Sequence, residues 1–102
     1  MNYLGHAFLS TAETFLGNMA GDSMKGVTVD SLPEAVRRGL AVHLLIDRMT
    51  DSHPLFKSAA ACFSEQRLPY AGVLADISLD YALASRWEQF SSLEWDYFKE
   101  RV

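Results

Sequence analysis

Residues 31–51, SLPEAVRRGLAVHLLIDRMTD, form the longest stretch of the chain with a helical pattern. Ser31 and Glu34 have the spacing of a capping box, in which the Ser31 hydroxyl accepts a hydrogen bond from the Glu34 amide and the Glu34 carboxylate accepts one from the Ser31 amide. Pro33 is compatible with the first turn because proline lacks only an N–H that has no helical partner there. This stretch therefore predicts a helix that begins at Ser31 and ends near Thr50.

The remainder of the chain has the same helical character. Apolar residues recur at intervals of three and four, and no stretch alternates for long enough to form a sheet. We therefore predict an all-α fold, a compact bundle of five to six helices. A second capping box, Ser91 with Glu94, is expected to precede the last helix. The other predicted helices cover residues 3–13, 15–25, 54–65 and 73–89, with a loop at 26–30 and a last helix through Trp95 and Phe98.

Length and composition describe one globular unit. The chain has 102 residues, of which 49% are hydrophobic and 22% charged, so we expect a single helical domain over residues 1–102. The formal net charge of −4 argues against nucleic acid as a partner, since a phosphate backbone selects a basic surface.

Cysteine content and hydropathy indicate the compartment. Cys62 is the only cysteine, so no intrachain disulfide forms, and we expect a buried, unreactive thiol. Residues 1–10 contain no Lys or Arg, unlike a secretory signal. No apolar run reaches the roughly 18 to 20 residues of a membrane helix. We predict a cytoplasmic protein that does not span a membrane.

Acidic residues share helix faces with apolar ones. His43, Asp47 and Asp51 are each four residues apart, and Val36 and Leu40 extend the same face, so all three polar side chains are predicted to point inward. Burying an unpaired carboxylate costs several kcal/mol, so an inward aspartate requires a cation, a metal ion or several donors.

The predicted fifth helix repeats this arrangement in a stripe made of Val73, Asp76, Asp80, Leu83 and Trp87. Two ionised aspartates in an apolar stripe repel each other, and a divalent cation is the simplest way to keep both charged.

The predicted second helix carries a third inward acid. Phe15, Asn18, Met19 and Asp22 share a face, and the small Gly17 and Gly21 permit another helix to come close.

Three helices with inward acids therefore predict a divalent-metal site. A single His-x-x-x-Asp pair is often only a surface pair, and the coincidence on three helices favours a metal. Imidazole nitrogen with carboxylate oxygen suits Mn²⁺, Fe²⁺, Zn²⁺ or Mg²⁺. The chain has no GxSxG sequence and no phosphate-binding glycine loop, which argues against covalent serine catalysis and nucleotide binding. His53, just before Pro54, is interpreted as a helix-entry residue.

Four ordered segments resemble one known family. They are MNYLGH at 1–6, GNMAGD at 17–22, HLLIDRMTD at 43–51, and the Asp76 and Asp80 pair followed by Trp87. Together they resemble the acyl carrier protein phosphodiesterases over nearly the whole chain. The resemblance implies an HD-domain-like helical hydrolase that removes 4'-phosphopantetheine from holo-acyl carrier protein with Mn²⁺ or a similar divalent cation.

The resemblance also implies roles for individual residues. Asp22 and Asp51 are the catalytic candidates. The metal candidates are His6, Asp22, His43, Asp47, Asp76 and Asp80.

The sequence departs from the family pattern in three respects. Tyr81 stands where the family has a histidine directly after the aspartate matching Asp80, and Leu44 stands where a basic residue is usual. Family members also continue beyond the last residue here, so residues 1–102 correspond to the N-terminal portion of a longer fold. The alternative hypothesis is therefore a catalytically silent helical fragment, or a module for carrier-protein binding or dimerisation in which a second copy covers apolar surface.

Carrier-protein docking requires a local basic patch, because acyl carrier protein is strongly acidic. The candidates for this patch are Arg37, Arg38, Arg48, Lys57 and Arg67.

Overall fold

The computed structural model describes residues 1–66 and 69–101, and within them every regular element is helical. The all-α prediction is confirmed. The described α-helices number seven rather than the expected five to six. They are α1 Tyr3–Phe8, α2 Phe15–Met19, α3 Glu34–Asp51, α4 Pro54–Glu65, α5 Ala71–Ser85, α6 Trp87–Phe90 and α7 Trp95–Arg101, with 3-10 turns at Gly21–Ser23 and Val29–Ser31.

None of the helices in residues 1–66 and 69–101 combines the length and apolar character needed to cross a bilayer.

Both predicted capping boxes are wrong. Ser31 lies in a 3-10 turn and its hydroxyl donates to the Thr28 carbonyl at 2.6 Å, while Pro33 is the N-cap of α3 without a side-chain cap. The Ser91 hydroxyl accepts from the Leu93 amide at 3.1 Å, because α7 begins one residue after Glu94. At α4 the His53 Nδ1 accepts from the Leu55 amide at 3.1 Å, so the helix-entry interpretation of His53 is confirmed.

Three helices are shorter than predicted. The first helix ends at Phe8 rather than near residue 13. Just after Phe8, the Ser10 hydroxyl donates to the His6 carbonyl at 2.7 Å. The second ends at Met19 and continues only as a 3-10 turn. The predicted fifth helix divides into α5 and α6 at Arg86, whose φ of −121° departs from helical geometry. These breaks leave α1, α2 and α6 as short helices, so the chain can change direction between them and their neighbours.

Helices α2 and α3 pack closely enough to exclude any side chain at their crossing. A Cβ on Gly17 would collide with the Val36 carbonyl oxygen, and one on Gly39 would lie 2.6 Å from the Gly17 Cα. The predicted close approach at Gly17 is therefore confirmed, with α3 as the neighbour. This contact places Asn18 of α2 beside the middle of α3.

Aromatic residues join the ends of the chain. Trp87 is buried, its ring lies 5.4 Å from that of Phe8, 5.2 Å from that of Trp95 and 4.5 Å from that of Phe98, and its Nε1 donates to the Leu93 carbonyl at 2.7 Å. This cluster connects α1, α6 and α7, and Trp87 enters it directly after the break at Arg86.

Much apolar surface stays exposed. Helix α5 has apolar residues around its circumference, and Val73, Ile77 and Tyr81 on it are at least half exposed. The outer face of α3 exposes Leu44 and Leu45. Cys62 is also exposed, so the prediction of a buried thiol is wrong. Helix α4, which carries Cys62, contacts α5 and a little of α3, and nothing among the described residues covers the outer side of α4.

Candidate metal centre

Two histidines and one aspartate meet between α1 and α3. The His6 Nε2 lies 3.0 Å from the Asp47 Oδ1, and the His43 Nε2 lies 3.2 Å from the Asp47 Oδ2. The two rings stack with centroids 4.1 Å apart and planes 13° apart. Both imidazoles are almost fully buried, and the three ligand atoms all lie within 4.8 Å of one another. The structure thus brings together three of the predicted metal residues.

Asn18 fixes how both imidazoles present their nitrogens. The His6 Nδ1 lies 2.8 Å from the Asn18 side-chain oxygen, and the His43 Nδ1 lies 2.8 Å from the Asn18 backbone oxygen. Because both partners are acceptors, both Nδ1 atoms carry hydrogen and donate. The Asn18 amide nitrogen donates to the His6 carbonyl and to the Ser10 hydroxyl, at 3.1 and 2.7 Å, which sets the orientation of the side chain.

The consequence is that both Nε2 atoms face the Asp47 carboxylate. Neutral imidazoles would then place lone pairs against carboxylate oxygens, and doubly protonated ones would stack two positive charges 4.1 Å apart. A cation held between the Nε2 atoms and the carboxylate resolves both conflicts. The donor set therefore fits a divalent metal ion.

Asn18 was not predicted as a site residue. The sequence placed it on an inward face, but its role depends on two histidines that are 12 and 25 residues away. The only signal in the sequence was an asparagine on an inward face, between two glycines that permit close packing.

Asp22 lies at the mouth of the centre. Its Oδ1 is 3.2 Å from the His43 Nε2, and the side chain is 63% exposed. The 3-10 turn that carries it is held against α3, since a Cβ on Gly21 would collide with the His43 ring. Asp22 is thus the most accessible of the acids that contact an imidazole.

The Met1 ammonium connects the centre to a second group of acids. It lies 3.1 Å from the Asp47 Oδ1, 3.2 Å from the Asp76 Oδ1 and 4.0 Å from the Asp51 Oδ1. Burial lowers the pKa of this ammonium, but hydrogen bonds and negative charge from Asp47 and Asp76 outweigh that effect, so its pKa lies above the usual value. The surroundings of these carboxylates therefore favour a positive charge.

Asp80 lies apart from these acids. Its Oδ2 accepts from the Leu4 amide and its Oδ1 from the Gly5 amide, both at 2.9 Å. These are orphan amides in the first turn of α1, so Asp80 caps that helix from α5 and positions His6, the residue after Gly5. A metal-binding role for Asp80 stays a prediction.

Two cavities are lined by the predicted acids. An acidic cavity of about 490 Å³ is lined by Asp22, Asp47, Asp51 and Asp76. An apolar cavity of about 430 Å³ shares Met1, Asn2 and Asp76 with it.

The predicted basic patch is only partly described. Arg38 is 61% exposed and pairs with Glu34 at 2.9 Å, and Arg67 lies outside the described residues.

Comparison with known proteins identifies similar chains. A family profile described as Acyl carrier protein phosphodiesterase matches residues 1–102. Three proteins named acyl carrier protein phosphodiesterase are similar. The one from Serratia proteamaculans is 36% identical over 91 residues, 87% of this chain and 47% of its own. Those from Yersinia pestis and Photorhabdus laumondii are 32% and 33% identical, over 87% and 94% of this chain and 47% and 46% of their own.

The chain spans about half the length of the curated relatives it matches. No solved structure matches it significantly.

Proposed function

The chain belongs to the acyl carrier protein phosphodiesterase family, and from this membership we propose that it hydrolyses the bond between 4'-phosphopantetheine and holo-acyl carrier protein with a bound divalent cation. Acyl carrier protein is then the substrate and partner, and the cytoplasm the expected location. The observation that supports the proposal most strongly is the pair of buried imidazoles whose Nε2 atoms both face the Asp47 carboxylate.

His6, His43 and Asp47 would hold the cation. No sulfur ligand belongs to this set, so we propose Mn²⁺, with Fe²⁺, Mg²⁺ or Zn²⁺ as ions that suit the same donors. When bound, such an ion polarises a phosphodiester oxygen and lowers the pKa of a water molecule.

The exposed acids would act as proton acceptor and donor. Asp22 and Asp51 line the acidic cavity and are each more than half exposed, so a phosphodiester and a water molecule can reach both. One of these carboxylates would accept the proton as the water oxygen bonds to phosphorus. The bond from phosphorus to the carrier-protein serine oxygen would then break, and the protonated carboxyl group would return its proton to that oxygen.

The direct experiment measures phosphopantetheine release from holo-acyl carrier protein, with chelator-treated protein and added Mn²⁺. We expect release that requires the metal, that Asp47→Asn abolishes and that Asp30→Asn preserves. Asp30 is the matched control because it is an exposed aspartate in the 3-10 turn Val29–Ser31, outside the centre. No release at any Mn²⁺ concentration would contradict the proposal.

A second candidate is a silent module that binds carrier protein or dimerises. Tyr81, where the resemblance expects histidine, is 75% exposed and one residue beyond Asp80, so the imidazole of the family pattern is missing at this position. Binding of carrier protein without cleavage would favour the silent-module hypothesis.

We also propose a homodimer, on the basis of exposed apolar residues. Leu45 on α3, Leu55 on α4 and Ile77 on α5 are each at least 45% exposed, and a second copy can cover such surface. The outer face of α3 contributes Leu44, which is 59% exposed where the family pattern has a basic residue.

Sedimentation velocity tests the homodimer. We expect a dimer that Leu44→Glu dissociates, whereas Leu16→Glu, a change at a 67% exposed leucine on α2, leaves it intact. A wild-type monomer at all accessible concentrations would contradict it.

A further inference from the structure

We propose that the apolar cavity beside the candidate metal centre binds the pantetheine arm of the substrate, with the end nearest phosphorus at Asp76. This inference rests on the proposed function and adds to it the place where the pantetheine arm, which stays bonded to phosphorus, is held. The cavity lies between α1, α3, α4 and α5.

The position of the cavity supports this assignment. It shares Met1, Asn2 and Asp76 with the acidic cavity, and the Met1 ammonium is 3.1 Å from Asp47 and 3.2 Å from Asp76. Asp47 in turn contacts both buried imidazoles. A molecule that spans the two cavities therefore places one end at the candidate metal centre and the other between α4 and α5.

The lining matches the chemistry of the arm. Pantetheine is uncharged and carries a geminal dimethyl group close to the phosphate, followed by methylene groups and two amides. The cavity offers apolar contacts from Met49, Leu55, Phe56, Leu79 and Leu83, and its volume of about 430 Å³ lies within the usual range for small-ligand sites. Asp76 and Asp80 also line the cavity, so an uncharged group is favoured in it over an anionic one.

One polar group is placed to donate a hydrogen bond to an amide of the pantetheine arm. The His53 Nδ1 accepts from the Leu55 amide, so in the neutral ring the Nε2 carries the hydrogen and is a donor. His53 lines the cavity together with Thr50. A few polar groups in an apolar lining are the arrangement that orients a ligand of this type.

The test measures binding of pantetheine itself, which lacks the phosphate, to the metal-free chain by ligand-observed NMR. Leu79→Trp fills the cavity and Leu9→Trp is the matched control, since both leucines are 47% exposed and only Leu79 lines the cavity. We expect Leu79→Trp to weaken binding on the order of tenfold through loss of apolar contact and Leu9→Trp to leave it unchanged. If Leu79→Trp does not fold, Met49→Trp, at a 62% exposed cavity residue, replaces it.

Failure of this inference is distinguishable from failure of the proposed function. Metal-dependent release without detectable pantetheine binding, or equal binding by both tryptophan variants, would overturn the cavity assignment alone. Absence of release and of metal binding would overturn the proposed function, and the pantetheine titration would still report on the cavity. A change in sedimentation caused by Leu79→Trp but not by Leu9→Trp would identify a second copy as the occupant and contradict the proposal.

Discussion

Asn18 shows how one uncharged residue can orient the imidazoles of the candidate metal centre. Its side-chain oxygen accepts from the His6 Nδ1 and its backbone oxygen accepts from the His43 Nδ1, so both Nε2 atoms face Asp47. Partners of this kind commonly change metal affinity by about 10–100-fold when they are removed.

We therefore predict that Asn18→Leu weakens Mn²⁺ binding by about 10–100-fold. It should also lower the free energy of unfolding by about 1–3 kcal/mol, because the His6 Nδ1–H loses its acceptor in a buried site. Denaturant unfolding with and without Mn²⁺ measures both effects. Ser10→Ala, which removes one partner of the Asn18 amide, is the control and should retain metal affinity; an equal loss in both variants would argue against the role of Asn18.

Asp80 provides a contrasting case at the same scale, because its two oxygens are occupied by backbone amides of α1. We predict that Asp80→Asn destabilises the metal-free protein by about 1–3 kcal/mol, since the new amide group directs a donor at a backbone N–H. The stabilisation by Mn²⁺, measured as the shift in melting temperature, should stay the same. Loss of that shift without loss of metal-free stability would instead identify Asp80 as a ligand.

At the scale of elements, the centre depends on how closely α2 approaches α3. Gly17 and Gly39 allow that approach, and it is what brings Asn18 to His43. The geometry of the centre is thus set by two positions without side chains.

Gly17→Ala should lower the free energy of unfolding by about 1–3 kcal/mol, as overpacking does elsewhere, and should weaken Mn²⁺ binding because the helices must separate. Gly72→Ala is the matched control: a Cβ there meets nothing within 4 Å, so alanine in this helical position should stabilise by about 0.5–1 kcal/mol. Thermal unfolding and a metal titration of both variants check the prediction. Similar behaviour of the two variants would contradict the close contact.

Local pattern predicted some elements well and others poorly. The helix at 54–65 has the predicted bounds and α3 ends one residue after Thr50, because both have strong periodicity and a proline near their start. The break at Arg86 was missed, since the packing of Trp87 next to it involves Phe8 near the start of the chain as well as Trp95 and Phe98. The capping boxes failed because a short motif does not specify which turn begins the helix.

For the candidate site, the spacing of the residues identified the acids. It did not predict which acids would contact the histidines and which would lie elsewhere. His43 and Asp47 were predicted to share an inward face, and the structure places both against His6. Asp51, on the same predicted face, is 58% exposed because it is the last residue of α3. The position of Asp80 under α1 depends on a contact 75 residues apart in the chain, which no local pattern contains.

On the scale of the whole molecule, a small core supports a polar centre. The buried apolar residues among those described are Ala7, Leu40, Ala75 and Trp87, and the principal extents of 43, 35 and 19 Å describe a flat shape. Such a molecule gains stability from any ligand or partner that binds only the folded state. Metal binding and self-association are therefore both expected to stabilise the fold.

The most direct test of the metal centre is thermal unfolding of chelator-treated protein with and without excess Mn²⁺. At a Mn²⁺ concentration near one hundred times Kd, the account predicts about 2.7 kcal/mol of stabilisation and a rise in Tm of about 10–20 °C. Asp47→Asn should abolish this rise, and Asp30→Asn should retain it. The absence of a rise in the wild-type protein, or an undiminished rise in Asp47→Asn, would contradict a centre built on His6, His43 and Asp47.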